Sequence, residues 1–304
     1  MANSEKAAVP VSRQQMYVVW MLVATGILAS SSASIFIKLC NAPPLVIAAY
    51  RLTIASIIFI IATLIKEGAV LRSFSAKDLK MAFLSGVFLC IHFATWIASL
   101  SYTSVASSVV FLGTSPIFVA LGSYFILKEK LRLLLLAGIV STIVGGILMG
   151  SADAGVGDNK LFGDVLAIIG AVGLAGYWLA GRHLRSKIGI LPYVSVVYSA
   201  AAVLLILLAV ISGGSFYPYP PTTFLYLLLI AIVPQVIGHT SFNFSLRFLS
   251  APVVSALVLG EPIGATILAY FILDESISSQ KAIGACLVLV GVYFAARGET
   301  SANG

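Results

Sequence analysis

Ser115-Pro116-Ile117, then Tyr124-Phe125-Ile126-Leu127 and Glu129, returns later in the chain as Glu261-Pro262-Ile263, then Tyr270-Phe271-Ile272-Leu273 and Glu275. Every pair is 146 positions apart (262 − 116, 270 − 124, 275 − 129). The same spacing runs without a gap upstream to Ser99 and Ser245, and downstream to Gly138 with Gly284 and Gly145 with Gly291. An apolar chain that duplicates itself across its two halves carries the signature of many secondary transporters.

The chain is 60% hydrophobic and 10% charged, with a mean hydropathy of +1.07. A soluble domain would carry about a quarter charged residues. Here the charges sit at the ends of long apolar runs, so the solvent is lipid. No soluble stretch is long enough for a separate domain, and no Gly-x4-Gly-Lys-Ser/Thr phosphate loop occurs, which argues against a built-in ATPase. Pumping would then draw on a gradient or on the solute itself. The formal charge of +7 is better read as setting membrane orientation than as binding nucleic acid, which is not expected as a partner. Cys40, Cys90 and Cys286 are odd in number and unpaired in spacing, so they read as small core residues; no metal and no cofactor is expected. Met16 to Leu39 is longer than the roughly 7–15 apolar residues of a secretory signal and reads as a span.

A span needs about 20 apolar residues. Ten are read here, at 16–39, 44–65, 79–101, 104–127, 132–150, 162–182, 191–212, 222–246, 251–273 and 279–297. Asn41-Ala42-Pro43-Pro44 separates the first pair, and Ser151 to Asp164 divides the halves. Placing Lys and Arg on alternate sides puts fourteen on one face and three (Lys38, Lys160, Lys281) on the other. Both termini should therefore be cytoplasmic. Five spans per half is an odd number, so the second half enters the membrane inverted, with Glu129 inside and Glu275 outside. The fold class expected is all-α integral membrane, ten helices in a 5+5 inverted-topology repeat: 1–150, an external linker at 151–158, and 159–304. In such duplications substrate sits at the midplane between the halves.

The run Ser107-Ser108-Val109-Val110-Phe111-Leu112-Gly113-Thr114-Ser115-Pro116-Ile117, followed by Leu127-Lys128-Glu129-Lys130-Leu131, resembles the fourth-helix motif of the drug/metabolite transporter superfamily. Leu259-Gly260-Glu261-Pro262-Ile263-Gly264-Ala265 through Leu273-Asp274-Glu275-Ser276-Ile277 is similar to the ninth-helix motif of its EamA-type branch. Arg51, within Ala49-Tyr50-Arg51-Leu52, fits the same pattern. The resemblance spans nearly the whole chain. It implies a ten-helix bundle in the bacterial inner membrane with a central cavity, exporting amino acids or other small metabolites. Asp274 stands where the first copy has Lys128, which makes the second turn acidic.

Several residues invite a role in transport, each against a plainer reading. Pro116 and Pro262 lie near the middle of their spans, where a missing N–H frees the carbonyls of Leu112 and Val258. A paired kink used as hinge or gate and a static bend for packing are equally compatible with this. Arg51 and Glu261 are the charged residues placed well inside the spans, at a cost of several kcal/mol unless paired or hydrated. Glu261 could bind a substrate ammonium or a coupling proton; an Arg51–Glu261 ion pair could equally be structural. His92 with Trp96, and His239 with Asn243, are four apart and share a helix face. Tyr50 and Trp178 could add aromatic surface to a substrate chamber, although most membrane aromatics anchor at interfaces or pack. Ser30, Ser31, Ser32 and Ser34 are read first as small residues for close helix contact.

The leading expectation is a substrate exporter working by alternating access around a cavity lined by spans 1, 3, 4, 6, 8 and 9. A drug or organic-cation exporter is the alternative within transport. An integral-membrane enzyme or lipid-handling protein is the alternative of another class, disfavoured because the three histidines at 92, 183 and 239 have no acidic pair near them in sequence. A structural assembly protein is weaker still, since it leaves the midspan charges unexplained. The sequence leaves the number of subunits open.

Overall fold

The computed structural model describes residues 12–72, 74–102, 108, 111–129, 131–151, 159–273 and 277–300, and all regular structure among them is helical. In chain order the helices are α1 (Arg13–Ser31), α2 (Ala33–Leu39), α3 (Pro44–Arg72), α4 (Ala76–Ser99), α5 (Ser115–Gly122), α6 (Leu133–Ser151), α7 (Lys160–Arg185), α8 (Ile190–Ile211), α9 (Pro221–Ile230), α10 (Thr240–Ser245), α11 (Ala251–Val258), α12 (Glu261–Leu273) and α13 (Ser279–Thr300). Wider π-helical turns follow α5 (Ser123–Leu127) and join α9 to α10 (Ala231–His239). Among the described residues, eight helical stretches are long and apolar enough to cross a membrane, and Ser115–Leu127 and Leu133–Met149 are shorter apolar helices. The protein is a multi-pass membrane protein. The external linker expected at 151–158 lies almost wholly outside the described residues, as do Asp274 and Glu275.

Local chemistry sets where helices begin. Ser12 accepts from the Gln15 N–H at 3.1 Å while Gln15 Oε1 accepts from the Ser12 N–H at 2.9 Å, a reciprocal cap that meets two otherwise orphaned donors. Ser75 caps α4 through the Asp78 N–H at 3.1 Å.

Burial is inverted relative to a water-soluble protein. Leu133 and Phe271 are 83% and 74% exposed, whereas Arg51, Gln235 and Asn243 are 1%, 0% and 0% exposed. A hydrocarbon solvent offers apolar side chains a neutral surface and polar ones nothing, so polarity turns inward.

Helix packing relies on glycine where backbones meet. A Cβ on Gly138 would sit 2.7 Å from the Gly291 carbonyl oxygen, and one on Gly145 would sit 2.5 Å from that of Gly284. The glycines at matched spacing thus bring α6 and α13 together within one chain. Between them Ser141 Oγ donates to the Leu287 carbonyl at 2.8 Å. Elsewhere α4 lies along α7, α3 along α8, and α1 along the π-helical turn, α10 and α12.

The prolines fall just after short turns in the helix ladder. Helix stops at Leu112 and resumes at Ser115; it stops again at Val258 and resumes at Glu261. Each gap is closed by a tight turn, with Ile117 N–H donating to Thr114 O at 3.0 Å and Ile263 N–H to Gly260 O at 3.2 Å. Pro116 and Pro262 therefore occupy the first turn of a new helix, where a missing N–H has no intrahelical acceptor to lose.

Gly291→Leu should destabilise the fold by about 1–3 kcal/mol through overpacking, read as a lower unfolding midpoint of the detergent-solubilised protein. Gly146→Leu is the control: a Cβ there meets nothing within 4 Å, and its midpoint should hardly move.

Candidate functional site: a central cavity

The two helix breaks face one cavity. Leu112, Gly113 and Ser115 from the first break and Val258, Leu259, Glu261, Pro262 and Ala265 from the second line it. Ser30, Ser31 and Ser34 come from the first span, Arg51 from α3, His92 and Trp96 from α4, Leu174 and Trp178 from α7, and His239 from the π-helical turn. Beyond the six spans expected, α3 thus contributes through Arg51.

One wall is a row of rings. His92 stacks on Trp96 at 5.8 Å and 3°, Trp178 on His239 at 6.0 Å and 19°, and the two histidine rings are 6.3 Å apart. His92 Nδ1 lies 3.1 Å from the Gly170 carbonyl, which can only accept, so that nitrogen carries a hydrogen. In the neutral ring Nε2 is then left as an acceptor. Glycine permits this approach: a Cβ on Gly173 would come within 2.8 Å of the His92 backbone nitrogen.

Arg51 is the buried cation of the site. Its Nε donates to Gln235 Oε1 at 2.7 Å, and its guanidinium carbon sits 4.2 Å above the Phe93 ring centre. A desolvated cation over an aromatic face gains about 2 kcal/mol, less than full desolvation of a charge costs. Nη1 has no hydrogen-bond partner. Pro234 interrupts the ordinary helix ladder, and the wider turn around it holds both Gln235 and His239 in the buried interior.

Glu261 opens α12. Its backbone carbonyl accepts from Ser31 Oγ at 3.0 Å, which ties the second break to α1, while its Oε1 has no partner. The hydroxyl of Ser30 and the indole N–H groups of Trp96 and Trp178 are likewise unpartnered. Apolar side chains of Ala33, Leu112, Leu174, Val258 and Leu259 complete the lining.

Of the residues singled out from sequence, His92, Trp96, Trp178, His239, Arg51, Glu261 and Pro262 meet at this cavity. Tyr50 and Asn243 are not among its lining residues, and neither is Pro116, whose neighbour Ser115 is. The Tyr50 hydroxyl donates to the Phe216 carbonyl at 2.9 Å and its ring packs 5.9 Å from Phe216. Asn243 is fully buried, with its amide donating to the hydroxyls of Tyr177 and Tyr198. Arg51 and Glu261 line one cavity, but the hydrogen bond Arg51 makes is to Gln235. Gln235 is the residue that sequence reading missed. It sits four positions before His239 and eight before Asn243, so extending that polar stripe by one turn would have found it.

A second polar cluster joins helix ends at the α7 C-terminus. Arg182 Nε donates to Glu129 Oε1 at 3.2 Å, and Nη1 donates to the Leu246 carbonyl at 2.9 Å. Three chain segments that lead away from the cavity are thereby held together.

The sequence model of the EamA-like transporter family matches residues 15–151 and matches again at 161–297. The chain belongs to the EamA-like transporter family. This EamA-like protein is 27% identical over 279 residues to an uncharacterized transporter of Archaeoglobus fulgidus, covering 90% of this chain and 95% of that one. It is 24% identical over 253 residues to an uncharacterized transporter of Clostridium kluyveri, covering 77% and 80% respectively. A crystal structure at 21% identity shares the fold of this EamA-like chain with a TM-score of 0.79, covering 94% of it and 98% of that chain.

Gln235→Leu should leave the Arg51 guanidinium without its hydrogen bond and destabilise the protein by about 1.5–3 kcal/mol, seen as a lowered unfolding midpoint. Gln235→Glu, which restores an acceptor, should recover most of it.

Proposed function

We propose that this membrane transporter exports amino acids or similar small metabolites across the bacterial inner membrane by alternating access. Its solute would pass through the cavity between the two helix breaks. The observation that carries this reading is the pairing of the breaks: Gly113-Thr114 and Leu259-Gly260 are 146 positions apart (259 − 113, 260 − 114), and both face the same cavity. An interrupted helix ladder at membrane depth is tolerated where it lines a cavity or is buried in protein, and paired broken helices are how many transporters build a midplane site.

The reading takes the chain as ten spans in a 5+5 inverted repeat, residues 1–150 and 159–304, with both termini cytoplasmic. The glycine contacts support it. Gly138 meets Gly291 and Gly145 meets Gly284; since Gly138 corresponds to Gly284 and Gly145 to Gly291, exchanging the halves exchanges the two contacts. An antiparallel crossing with that property is what a two-fold axis in the membrane plane produces. The family model matching twice, at 15–151 and 161–297, fits the same division. Pro116 and Pro262 act as hinges where half-helices meet, and the Glu129–Arg182 pair latches one end of the cavity while the other opens.

A drug or organic-cation exporter is the second reading, because Glu261 and the Trp96 and Trp178 rings would also suit a cation. Purified protein in vesicles, preloaded with unlabelled solute and given a labelled panel, separates these. Amino acids should exchange and quaternary amines should not, without chemical change to either. Exchange of the amines alone would favour the second reading, and a chemically altered solute would favour an enzyme. Glu261→Gln should abolish the response of flux to an imposed proton gradient while the protein remains folded. An undiminished response would remove Glu261 from coupling.

A further inference from the structure

The cavity holds more unmet hydrogen-bonding capacity than any other part of the described molecule, and the unmet groups are of opposite kinds. Arg51 Nη1, Trp96 Nε1 and Trp178 Nε1 are obligate donors, all buried and all without a partner. Glu261 Oε1 is an acceptor in the same condition. Each belongs to a side chain that lines the cavity. Arg51 is 1% exposed and Trp178 0%, so water on the outer surface does not serve them. A buried cation and a buried carboxylic group that share one cavity without pairing each cost several kcal/mol.

From this we infer that the cavity is built for a zwitterion with an uncharged, apolar side chain, its carboxylate read by Arg51 and the two indoles and its ammonium by Glu261. The inference rests on the transport reading above and narrows its substrate class. A carboxylate has about four lone-pair sites, enough for these three donors. A cation without a carboxylate would answer Glu261 but meet the like charge of Arg51 in a poorly screened space. An anion without an ammonium would answer Arg51 and leave Glu261 unmet. Leu112, Leu174, Val258 and Leu259 form an apolar part of the lining, beside the hydroxyls of Ser31, Ser34 and Ser115 and the rings of His92 and His239. A charged or amide side chain placed against those four apolar side chains would lose its hydration without compensation.

The test uses three probes of one skeleton on the purified full-length protein: L-leucine, 3-methylbutylamine, which lacks the carboxylate, and 4-methylpentanoate, which lacks the ammonium. Titration calorimetry should show leucine binding, with each truncated probe at least about tenfold weaker. Arg51→Gln should bring leucine down to the level of the amine, and Glu261→Gln should bring it down to the level of the acid. Should Arg51→Gln fail to fold, the wild-type series and Glu261→Gln still decide. Amine binding as tightly as leucine, acid binding as tightly, or no leucine binding overturns the inference. Vesicle exchange with the wider panel tells the two failures apart. Movement of some other solute without leucine binding overturns this inference alone; no movement of any solute overturns the transport reading with it.

Discussion

A hydrocarbon solvent cannot answer a hydrogen bond, and the architecture follows from that. Every polar side chain must find a partner inside the protein or face a space that can hold water or solute. In this chain the answer is uneven. The Asn243 amide donates to Tyr177 and Tyr198 in the core while its Oδ1 stays unpartnered, and the serines of several helices donate back to carbonyls of their own turn. Around the central cavity that economy stops. Arg51, Glu261, Trp96 and Trp178 keep unpaired atoms there, and it is there that two helices interrupt themselves.

Close packing makes the interruptions tolerable. Gly264 has no room for a Cβ, which would fall 2.2 Å from Ser31 Oγ, and Gly238 is equally tight against Ser30 at 2.3 Å. The first span is thus pressed against the second break and the π-helical turn, so backbone exposed by the break is covered by protein rather than lipid. Close apposition and polar bonding coincide at Ser31, whose hydroxyl accepts the geometry of Gly264 and donates to the Glu261 carbonyl at 3.0 Å. Ser30 and Ser31 thus sit at contacts between helices and also line the cavity. The latch of Arg182 on Glu129 and Leu246 is different in kind, being 27% and 25% exposed across its charged pair. It can break and reform at little cost.

Much of this was legible in the residues. Hydropathy located the helices because span length and apolar content are one-dimensional properties. The 146-residue repeat and the deep charges led to the cavity through Glu261, Pro262 and Arg51, and the four-residue spacing of His92 and Trp96 put both on its wall. What the residues did not disclose depends on geometry beyond one helix. Pro116 and Pro262 suggested kinks, but whether a proline bends a helix or restarts one is decided by the turns at Gly113-Thr114 and Leu259-Gly260, which have no strong local signature. Asn243 shares a spacing with His239, yet the wider turn through Pro234 changes the angular step before it, and it meets tyrosines of α7 and α8 instead. Tyr50 adjoins Arg51 in sequence, and neighbours on a helix point about 100° apart. Gln235 went unread because an amide in an apolar run draws less notice than a charge.

The central claim is that solute travels through the space between the two helix breaks. Cysteine placed at Ser115 or Ala265, in protein whose Cys40, Cys90 and Cys286 are replaced by alanine, lets a bulky water-soluble thiol reagent report on it. The account expects the reagent to react at both positions, to stop solute exchange once bound, and to react more slowly when excess solute is present. Complete labelling at both positions with exchange undiminished would contradict it.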